Sequence, residues 1–586
     1  MGASDQIAKS GSKRPGLKIA AVAGIGTAAA YVAWCLLKVI EFRDVVPRWD
    51  MIGVEWFIDV RFLHDPSLFT AFAFHDNEHR PVFPLYIFLA DHVFFGSHEL
   101  SLVICSLVTV AGIAFITARR IGGAIQDPAR RLAFWLLVPC VLLWPGQIEN
   151  LVFPKQLHEL LCIVLTCLVF DLAVQLDGRV GMGSSRSNLL RASAIAVLNF
   201  VAAFSFGWGV LATILVALFA VIRRWELVPA GLVVLGAVVT ICTYVLVWAT
   251  PSEQQGVFEL ARLLLRLVAY ASIFVGAPIG ASLASLGESS HFQGGVAGVL
   301  GLAGLALAAC SMGPLIGPRE LPKESAAGRN YARLMVAFVA MCAAVTAVGR
   351  VRFGLSQAVE SQRYFILPCL FWLSLPVLLP ALPVIGRWTR WLGWPAMLAG
   401  FGGILATTPH FIDWMADRML WTRIGAIAAV MGEDHIPAPP RLYPTPLQLH
   451  IVFDDYAHRG VSVYADRWPH WLGQRIEDLA PRATDCQGYV DRILPIPGSA
   501  NREIIGWIFD VARREAPPWV ALVDSQRRVS GLATFGMQRD DVALAMKSRA
   551  ARRAGFDGFM LDQGPAIWWI YGWFADNSWC RVRVRG

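Results

Sequence analysis

The stretch His75-Asp76-Asn77-Glu78-His79-Arg80-Pro81 places six polar or ionisable residues in a row between strongly apolar neighbours. The whole chain of 586 residues is 56% hydrophobic, so this polar run contrasts with what surrounds it. Charged groups beside hydrocarbon are costly unless they face water, protein or a ligand. We therefore take residues 75–81 as the centre of a candidate functional site.

The composition indicates a polytopic α-helical membrane protein. Only 16% of the residues are charged, whereas soluble globular chains carry about 25%. The net charge of +8 comes from Lys and Arg residues in short groups between apolar runs. That distribution fits topology signals and contact with membrane lipids, and it argues against nucleic acid as a partner.

Eleven apolar segments predict transmembrane helices. They cover residues 18–40, 98–118, 132–146, 156–177, 190–205, 209–222, 227–249, 294–315, 333–349, 364–381 and 391–408. Two further segments, 81–96 and 257–286, are apolar but carry ionisable residues, and we expect interfacial or partly inserted helices there. If both of them span the membrane, the count rises to thirteen.

Basic groups between the spans set the predicted orientation, because cytoplasmic loops are rich in Lys and Arg. With eleven spans and a cytoplasmic N-terminus, all six basic groups fall on the cytoplasmic side. They are the N-terminal Lys and Arg residues, Arg119-Arg120 with Arg130-Arg131, Arg186 with Arg191, Arg223-Arg224, the loop 316–334, and Arg387 with Arg390. Four polar segments then meet on the outer face of the membrane: 41–97, 147–156, 204–209 and 349–364.

The pattern changes after residue 408, where long apolar runs stop and Pro, Asp and Arg become frequent. The predicted domains are a cytoplasmic tail at 1–16, a transmembrane domain at 17–410, a linker at 411–435 and a periplasmic or extracellular domain at 436–586. Short runs between turn residues predict that the last domain is soluble, β-rich and sandwich-like. These runs are 449–453, 461–464, 504–509, 519–523, 529–534 and 580–584.

The cysteines divide by region. Nine of the eleven lie in or beside apolar segments, without a CxxC pair, and are most simply small hydrophobes. The other two, Cys486 and Cys580, fall in the soluble domain. In an oxidising compartment they are a candidate disulfide pair.

The first outer segment offers carboxylates and arginines. A positioned carboxylate such as Asp50 or Glu78 can take a proton from an attacking hydroxyl. The guanidinium of Arg80 suits an anionic group, and His79 either acts chemically or hydrogen-bonds inside the loop. The competing interpretation is a solvated loop with surface ion pairs. We favour that interpretation for four other carboxylates: Asp44, Glu55, Asp59 and Asp65.

Two later segments add candidate substrate ligands. The first contains Glu149, Asn150, Lys155 and Gln156, which would bind a polar substrate, with the lysine facing a phosphate; capping of a helix start is the alternative. In the segment 349–364, arginines lie on the predicted outer face, where the positive-inside rule predicts few of them, and this favours anion binding. The candidates in this segment are Arg350, Arg352, Gln357, Arg363 and Tyr364.

With these residues in view, the chain resembles a group of bacterial membrane proteins within the GT-C glycosyltransferase superfamily. The matching pieces follow the expected order across most of residues 17–410: Asn77-Glu78-His79-Arg80, Gln147-Ile148-Glu149-Asn150-Leu151, Phe204-Ser205-Phe206-Gly207, Gly349-Arg350, Phe353-Gly354, Gln357-Ala358 and Arg363-Tyr364. The segment 147–156 departs from the group, because it reads Val-Phe-Pro-Lys-Gln instead of a Trp-Gly-Phe-Gln type run. The soluble domain looks like the β-rich module found after such membrane regions, and its aromatic residues would either stack on sugars or form its core.

The resemblance implies an inverting glycosyltransferase of a bacterial plasma membrane. The donor would be a polyprenyl-phosphate sugar, and the acceptor a cell-envelope glycan or lipid. Asp50 or Glu78 would act as the base, and a divalent cation, Mg²⁺ or Mn²⁺, is an optional cofactor. The departing lipid phosphate would be stabilised by four arginines: Arg80, Arg350, Arg352 and Arg363. The alternatives are a transporter or flippase of lipid-linked saccharides and a non-catalytic glycan-binding scaffold.

Overall fold

The computed structural model describes most of the chain. The described residues are 15–43, 46–76, 79–178, 186–246, 260–283, 289–312, 323–379, 395, 398–434, 442–443, 445–561 and 569–584. The candidate base Glu78 and the carboxylate Asp44 lie outside these ranges.

The first part of the chain is helical. Its long helices are α1 (Pro15–Glu41), α5 (Leu100–Gly123), α6 (Pro128–Leu142), α8 (Leu157–Asp177), α9 (Arg186–Ala203), α10 (Trp208–Ile222), α11 (Leu227–Leu246), α12 (Leu260–Ala281), α13 (Ser290–Met312) and α14 (Lys323–Arg350). Shorter helices are α2 (Asp50–Phe57), α3 (Leu68–Ala73), α4 (Val82–Phe94), α7 (Ile148–Val152), α15 (Gln357–Glu360), α16 (Ile366–Ser374) and α17 (398–406). One turn of π-helix, Ile58–Phe62, extends α2.

Seven of the described helices are long and apolar enough to cross a membrane. Their apolar portions are Ala21–Glu41, Leu100–Gly123, Pro154–Asp177, Leu227–Leu246, Leu263–Ala281, Ser290–Met312 and Ala326–Phe353. The pair Pro128–Leu142 and Pro145–Val152, bent by 45°, makes an eighth if it is one span. By length and composition, these helices indicate a multi-pass membrane protein. The count in the described residues is below the predicted eleven to thirteen, because several apolar runs break into shorter helices.

The two uncertain segments differ in length. Residues 81–96 form α4, which has 13 residues and is too short to span a bilayer alone. The segment 257–286 was expected to be interfacial or partly inserted. It contains α12, which is long and apolar enough to span a membrane. Small residues let α12 pack closely on α13, because a Cβ on Gly276 would overlap the backbone of Ala297.

The last part of the chain forms one curled sheet beside further helices. Its strands are β1 (Thr484–Asp485), β2 (Gln487–Pro495), β3 (Asn501–Phe509), β4 (Trp519–Val523), β5 (Val529–Met537), β6 (Gly555–Leu561), β7 (Trp569–Trp573) and β8 (Trp579–Arg583). The strand order is β1-β8-β7-β4-β5-β6-β3-β2, and only β1 and β8 pair in parallel. A β-rich domain was predicted and is present, but the predicted sandwich was wrong, because all eight strands belong to one sheet.

The two edges of this sheet are adjacent in the chain. Strands β1 and β2 are separated only by Cys486, whose Sγ forms a disulfide with that of Cys580 in β8; their Cα atoms are 5.5 Å apart. The same extended stretch therefore pairs with β8 at one edge and with β3 at the other. Apolar side chains from one face of the sheet fill its concave interior, including Ile504, Val520 and Phe556.

Two predicted strands of the last domain are helical. Residues 449–453 belong to α19 (Pro446–Arg459), and residues 461–464 to a 3₁₀ turn, Ser462–Ala465. The buried residues Leu449, Val452, Phe453 and Tyr456 have the spacing of one helix face and not of a strand. Short helices α20 (Ile476–Leu479) and α21 (Asp540–Ala545) complete the domain.

The segment 411–435, predicted to be a linker, is mostly one helix, α18 (Thr408–Val430). Its Leu420 and Ile424 pack with α19 and with the outer face of the sheet, where Trp519 and Tyr571 also lie. The guanidinium of Arg553, between β5 and β6, donates to Asp417 of α18 at 2.8 Å. The helix therefore contacts both the sheet and, through its N-terminal half, the apolar helical bundle.

Candidate functional site

Asp50 is the first residue of α2 and is exposed in a cleft of about 430 Å³. The preceding Trp49 has a φ of 49° and donates its N–H to the carbonyl oxygen of Leu442 at 2.6 Å. The unpaired N–H groups of a helix N-terminus favour a carboxylate there. One turn later, a Cβ on Gly53 would lie 3.3 Å from the hydroxyl of Tyr443, so the absence of a side chain lets Tyr443 close this wall.

The other wall of the cleft comes from the polar stretch 75–81. Asp76 and His79 exchange backbone hydrogen bonds of 3.0 and 2.9 Å. The Asp76 carboxylate lies 2.6 Å from Nζ of Lys155. Burial alone would raise the pKa of Asp76, but Lys155 and His158 outweigh it and hold the pKa below its usual value. Asp76 is therefore ionised at neutral pH.

Lys155 lies in the break between α7 and α8 and is only 2% exposed. A buried ammonium is tolerated when a carboxylate compensates its charge, and Asp76 does so. Lys155 also interacts electrostatically with Glu159, one turn further along the chain. The predicted phosphate-facing lysine is thus shared between two carboxylates of the protein.

Two of the predicted arginines approach the same polar cluster. Arg363 lies in the 3₁₀ turn Gln362–Tyr364, with its guanidinium 4.8 Å from the Tyr364 ring. Burial lowers the pKa of Arg363, but the surrounding anionic groups, including Glu149, Glu159 and Asp50, raise it above its usual value. Arg350, at the C-terminal end of α14, also interacts with Glu159.

The remaining predicted arginines point elsewhere. Arg352 is exposed and lies 4.9 Å from the ring of Phe353, so it is separate from the buried cluster. Arg80 is buried, and its Nη1 donates to the carbonyl oxygen of Phe74 at 3.5 Å. These contacts give Arg80 a structural position and leave Arg352 on the surface.

The segment around Glu149 ties the cluster to the last domain. Glu149 lies 2.7 Å from a guanidinium nitrogen of Arg418, in the middle of α18. Asn150 donates to Gln147 at 2.8 Å and to the carbonyl oxygen of Gln362 at 3.4 Å. These bonds hold the second and fourth polar segments against each other.

Three further predicted ligands take internal contacts. The ring of His79 lies 3.8 Å from that of Phe206, in the short turn between α9 and α10. Gln156 is buried, and Gln357 accepts a hydrogen bond from the hydroxyl of Tyr270 at 3.5 Å. These contacts bring all four polar segments together at one end of the helical bundle.

Several polar residues of the site were not assigned a catalytic or binding role from the sequence, although Asp76 lies in the stretch 75–81. Asp76, His158 and Glu159 complete the cluster around Lys155. Glu159 carries a signal that sequence analysis can detect, because an ionisable residue inside an apolar run is rarely accidental. Arg418 carries no such signal, because it lies in the segment 411–435, which was predicted to be a linker.

The arrangement offers an open carboxylate, Asp50, whose charge acts on the partly buried Arg363. Among the described residues, no group of three His, Cys, Asp or Glu ligand atoms gathers at this cleft. A divalent cation here would have to bind through Asp50 and the already paired Asp76. The cleft is therefore suited to proton transfer next to an anionic group.

Two carboxylates assigned to a solvated loop are buried. Glu55 is 1% exposed, and the Asp59 side chain is 10% exposed. Both lie on the side of α2 and its π-helical extension that faces α4 and α19. The prediction of surface ion pairs was wrong for these two residues, because α19 covers that side of the loop.

Comparison with protein-family models, with curated proteins and with solved structures finds no match for this chain.

Proposed function

We propose that the protein is an inverting glycosyltransferase that uses a polyprenyl-phosphate sugar at the outer face of a bacterial plasma membrane. The observation that supports this proposal is an accessible carboxylate, Asp50, whose charge acts on the half-buried Arg363. Arg363 and Arg350 in turn both act on the buried Glu159 at the end of the apolar bundle. The apolar helices would accommodate the lipid chain of the donor, and the 430 Å³ cleft would receive the acceptor.

In the proposed reaction, an acceptor hydroxyl oxygen attacks C1 of the donor sugar and bonds to it. The bond between C1 and the phosphate oxygen breaks, and the lipid phosphate leaves with the bonding electrons. Asp50 takes the proton of the hydroxyl. Arg363 and Arg350 stabilise the charge on the departing phosphate. A single displacement of this kind inverts the configuration at C1.

Asp50 suits the base better than Asp76 does. Asp76 is held by Lys155 at 2.6 Å and by nearby imidazoles, which stabilise its ionised form and weaken it as a proton acceptor. Glu78, which lies outside the described residues, is the other candidate base. In this arrangement, the Asp76–Lys155 pair would shape the wall of the cleft.

The test is sugar transfer by the full chain in nanodiscs, with a radiolabelled polyprenyl-phosphate hexose as donor and cell-envelope extract as acceptor. Asp50→Asn should lower turnover by about 10²- to 10⁴-fold while donor binding is retained. Arg363→Gln should weaken donor binding and should also lower turnover, by about 10²-fold or more. Asp65→Asn, at an exposed carboxylate of the same segment, is the matched control.

The alternatives give different outcomes in the same assay. A flippase would move the labelled lipid across the bilayer without breaking its sugar–phosphate bond and would tolerate Asp50→Asn. A scaffold would tolerate Arg363→Gln as well. Transfer at the wild-type rate by both Asp50→Asn and Glu78→Gln would refute the proposal.

A further inference from the structure

A second polar cluster lies on the opposite side of α2 from the cleft. Glu55 is roughly 140° around the helix from Asp50, at about 3.6 residues per turn. It faces His92 of α4, and α19 from the last domain closes the cluster with Asp455 and Arg459. We call these residues, with Asp59, the interdomain cluster.

His92 is held at both ring nitrogens. Its Nδ1 lies 2.7 Å from Oε2 of Glu55, and its Nε2 lies 3.1 Å from Oδ1 of Asp59. The ligand atoms of Asp59, His92 and Asp455 all lie within 4.8 Å of one another. His92 is fully buried, whereas Asp455 is about one third exposed, so the cluster reaches solvent on the side of α19.

Each protonation state of His92 leaves one contact of the cluster unfavourable. Nη1 of Arg459 donates to Asp455 at 2.9 Å and also contacts Nε2 of His92. If His92 is neutral with a lone pair on Nε2, Asp59 has no donor opposite it. If His92 is an imidazolium, two cations are in contact. Within the described chain, neither carboxylate oxygen of Asp59 accepts a hydrogen bond of sound geometry.

A divalent metal ion between these groups removes both conflicts. Glu55 would accept the Nδ1–H of His92, which directs the Nε2 lone pair towards Asp59 and Asp455. A carboxylate that orients a metal-binding histidine is a recurring arrangement in metalloproteins. One imidazole and two carboxylates suit Zn²⁺ or Mn²⁺. The partly exposed Arg459 side chain has room to turn towards solvent.

We propose that Asp59, His92 and Asp455 bind a divalent transition-metal ion, with Glu55 as the residue that orients His92. The ion links the segment 41–97 to the last domain. It also fixes the face of α2 opposite Asp50, so it sets the position of the carboxylate in the cleft. This site does not depend on the proposed transferase activity, because its ligands lie outside the cleft.

The test is metal binding by the full chain in detergent after treatment with a chelator. Titration with Zn²⁺ and with Mn²⁺, followed by calorimetry and by metal analysis, should give one ion per chain. Asp455→Asn and His92→Gln should each weaken binding at least 100-fold, whereas Asp454→Asn, at the adjacent exposed carboxylate, should leave it unchanged. Glu55→Gln should weaken it by about 10- to 100-fold.

Arg459→Gln separates the metal site from a simple ion-pair cluster. If a metal competes with the guanidinium, this substitution raises the metal affinity while the other variants lower it. If Arg459 is instead the permanent counterion, the variant gains no affinity and only loses stability. Absence of saturable binding, equal losses in Asp454→Asn and Asp455→Asn, or no gain in Arg459→Gln would each overturn the proposal. Tryptophan fluorescence and gel filtration of every variant report whether the fold is retained.

Discussion

Replacing Lys155 with methionine removes the cation from the most buried ion pair of the candidate site. The ammonium lies 2.6 Å from Asp76, and the two side chains are 2% and 14% exposed. At an effective dielectric constant of about 20, the gross attraction is about 6 kcal/mol. Removing one partner of a buried pair costs about 3–5 kcal/mol, because the other charge is left uncompensated. We expect a loss near 3 kcal/mol, because the Asp76 side chain is 14% exposed and water solvates part of the charge left behind.

A double-mutant cycle isolates this interaction. Asp76→Asn should also destabilise the protein, whereas the combination with Lys155→Met should cost less than the two single changes together, by about 2–3 kcal/mol. The free energies come from equilibrium unfolding of the full chain in mixed micelles. Additive losses in the double variant would show that the two side chains do not form a pair, and the described wall of the cleft would then be incorrect.

Three further predictions concern stability of the full chain. Cys486→Ala with Cys580→Ala should lower the unfolding free energy by about 2–4 kcal/mol, because the disulfide closes a loop of 94 residues; equal stability with and without a reductant would contradict this. Burial raises the pKa of Asp557 from 3.8 to about 7. As the pH rises, Asp557 therefore loses its proton in the unfolded chain before it does so in the folded protein. The unfolding free energy should fall by up to about 4 kcal/mol between about pH 4 and pH 7. Asp557→Asn should remove most of this fall in thermal unfolding followed at each pH. Gly301→Ala should cost about 1–3 kcal/mol by overpacking the contact of α13 with α12, whereas Gly295→Ala, which has open space around it, should be neutral.

The polar segments of the site were accessible from sequence because each interrupts an apolar context. The polar residues at 75–81 lie between apolar runs of sequence, and so do Arg350 and Arg363 in the segment 349–364. Their common position on the outer face was inferred from eleven spans and the basic loops, whereas seven or eight of the described helices are long and apolar enough to span a membrane; their contacts with one another are a finding of the structure. The pairing of individual charges did not follow, because Lys155 has several carboxylates within reach in sequence and only packing selects Asp76.

In the last domain, the strands that form the sheet interior were predictable and the docking helix was not. Runs such as 519–523 are apolar throughout, as expected for a strand covered on both faces. Leu449 to Phe453 was predicted to be a strand, although extending the window to Tyr456 shows a helical period. Glu55 and Asp59 were misjudged for a related reason, since their burial depends on that helix, which follows several hundred residues later.

Helix α18 affects how the two parts of the protein can be separated experimentally. It carries Arg418, the counterion of Glu149, on one side, and Asp417, the partner of Arg553, on the other. A truncation at residue 410 would therefore delete the soluble domain and also strip a buried carboxylate of its guanidinium. Loss of function in such a shortened protein would say nothing about the sheet itself. A cut placed beyond Arg459, at the end of α19, keeps Arg418, Tyr443 and Asp455 in the shortened protein, so the deletion then reports on the sheet.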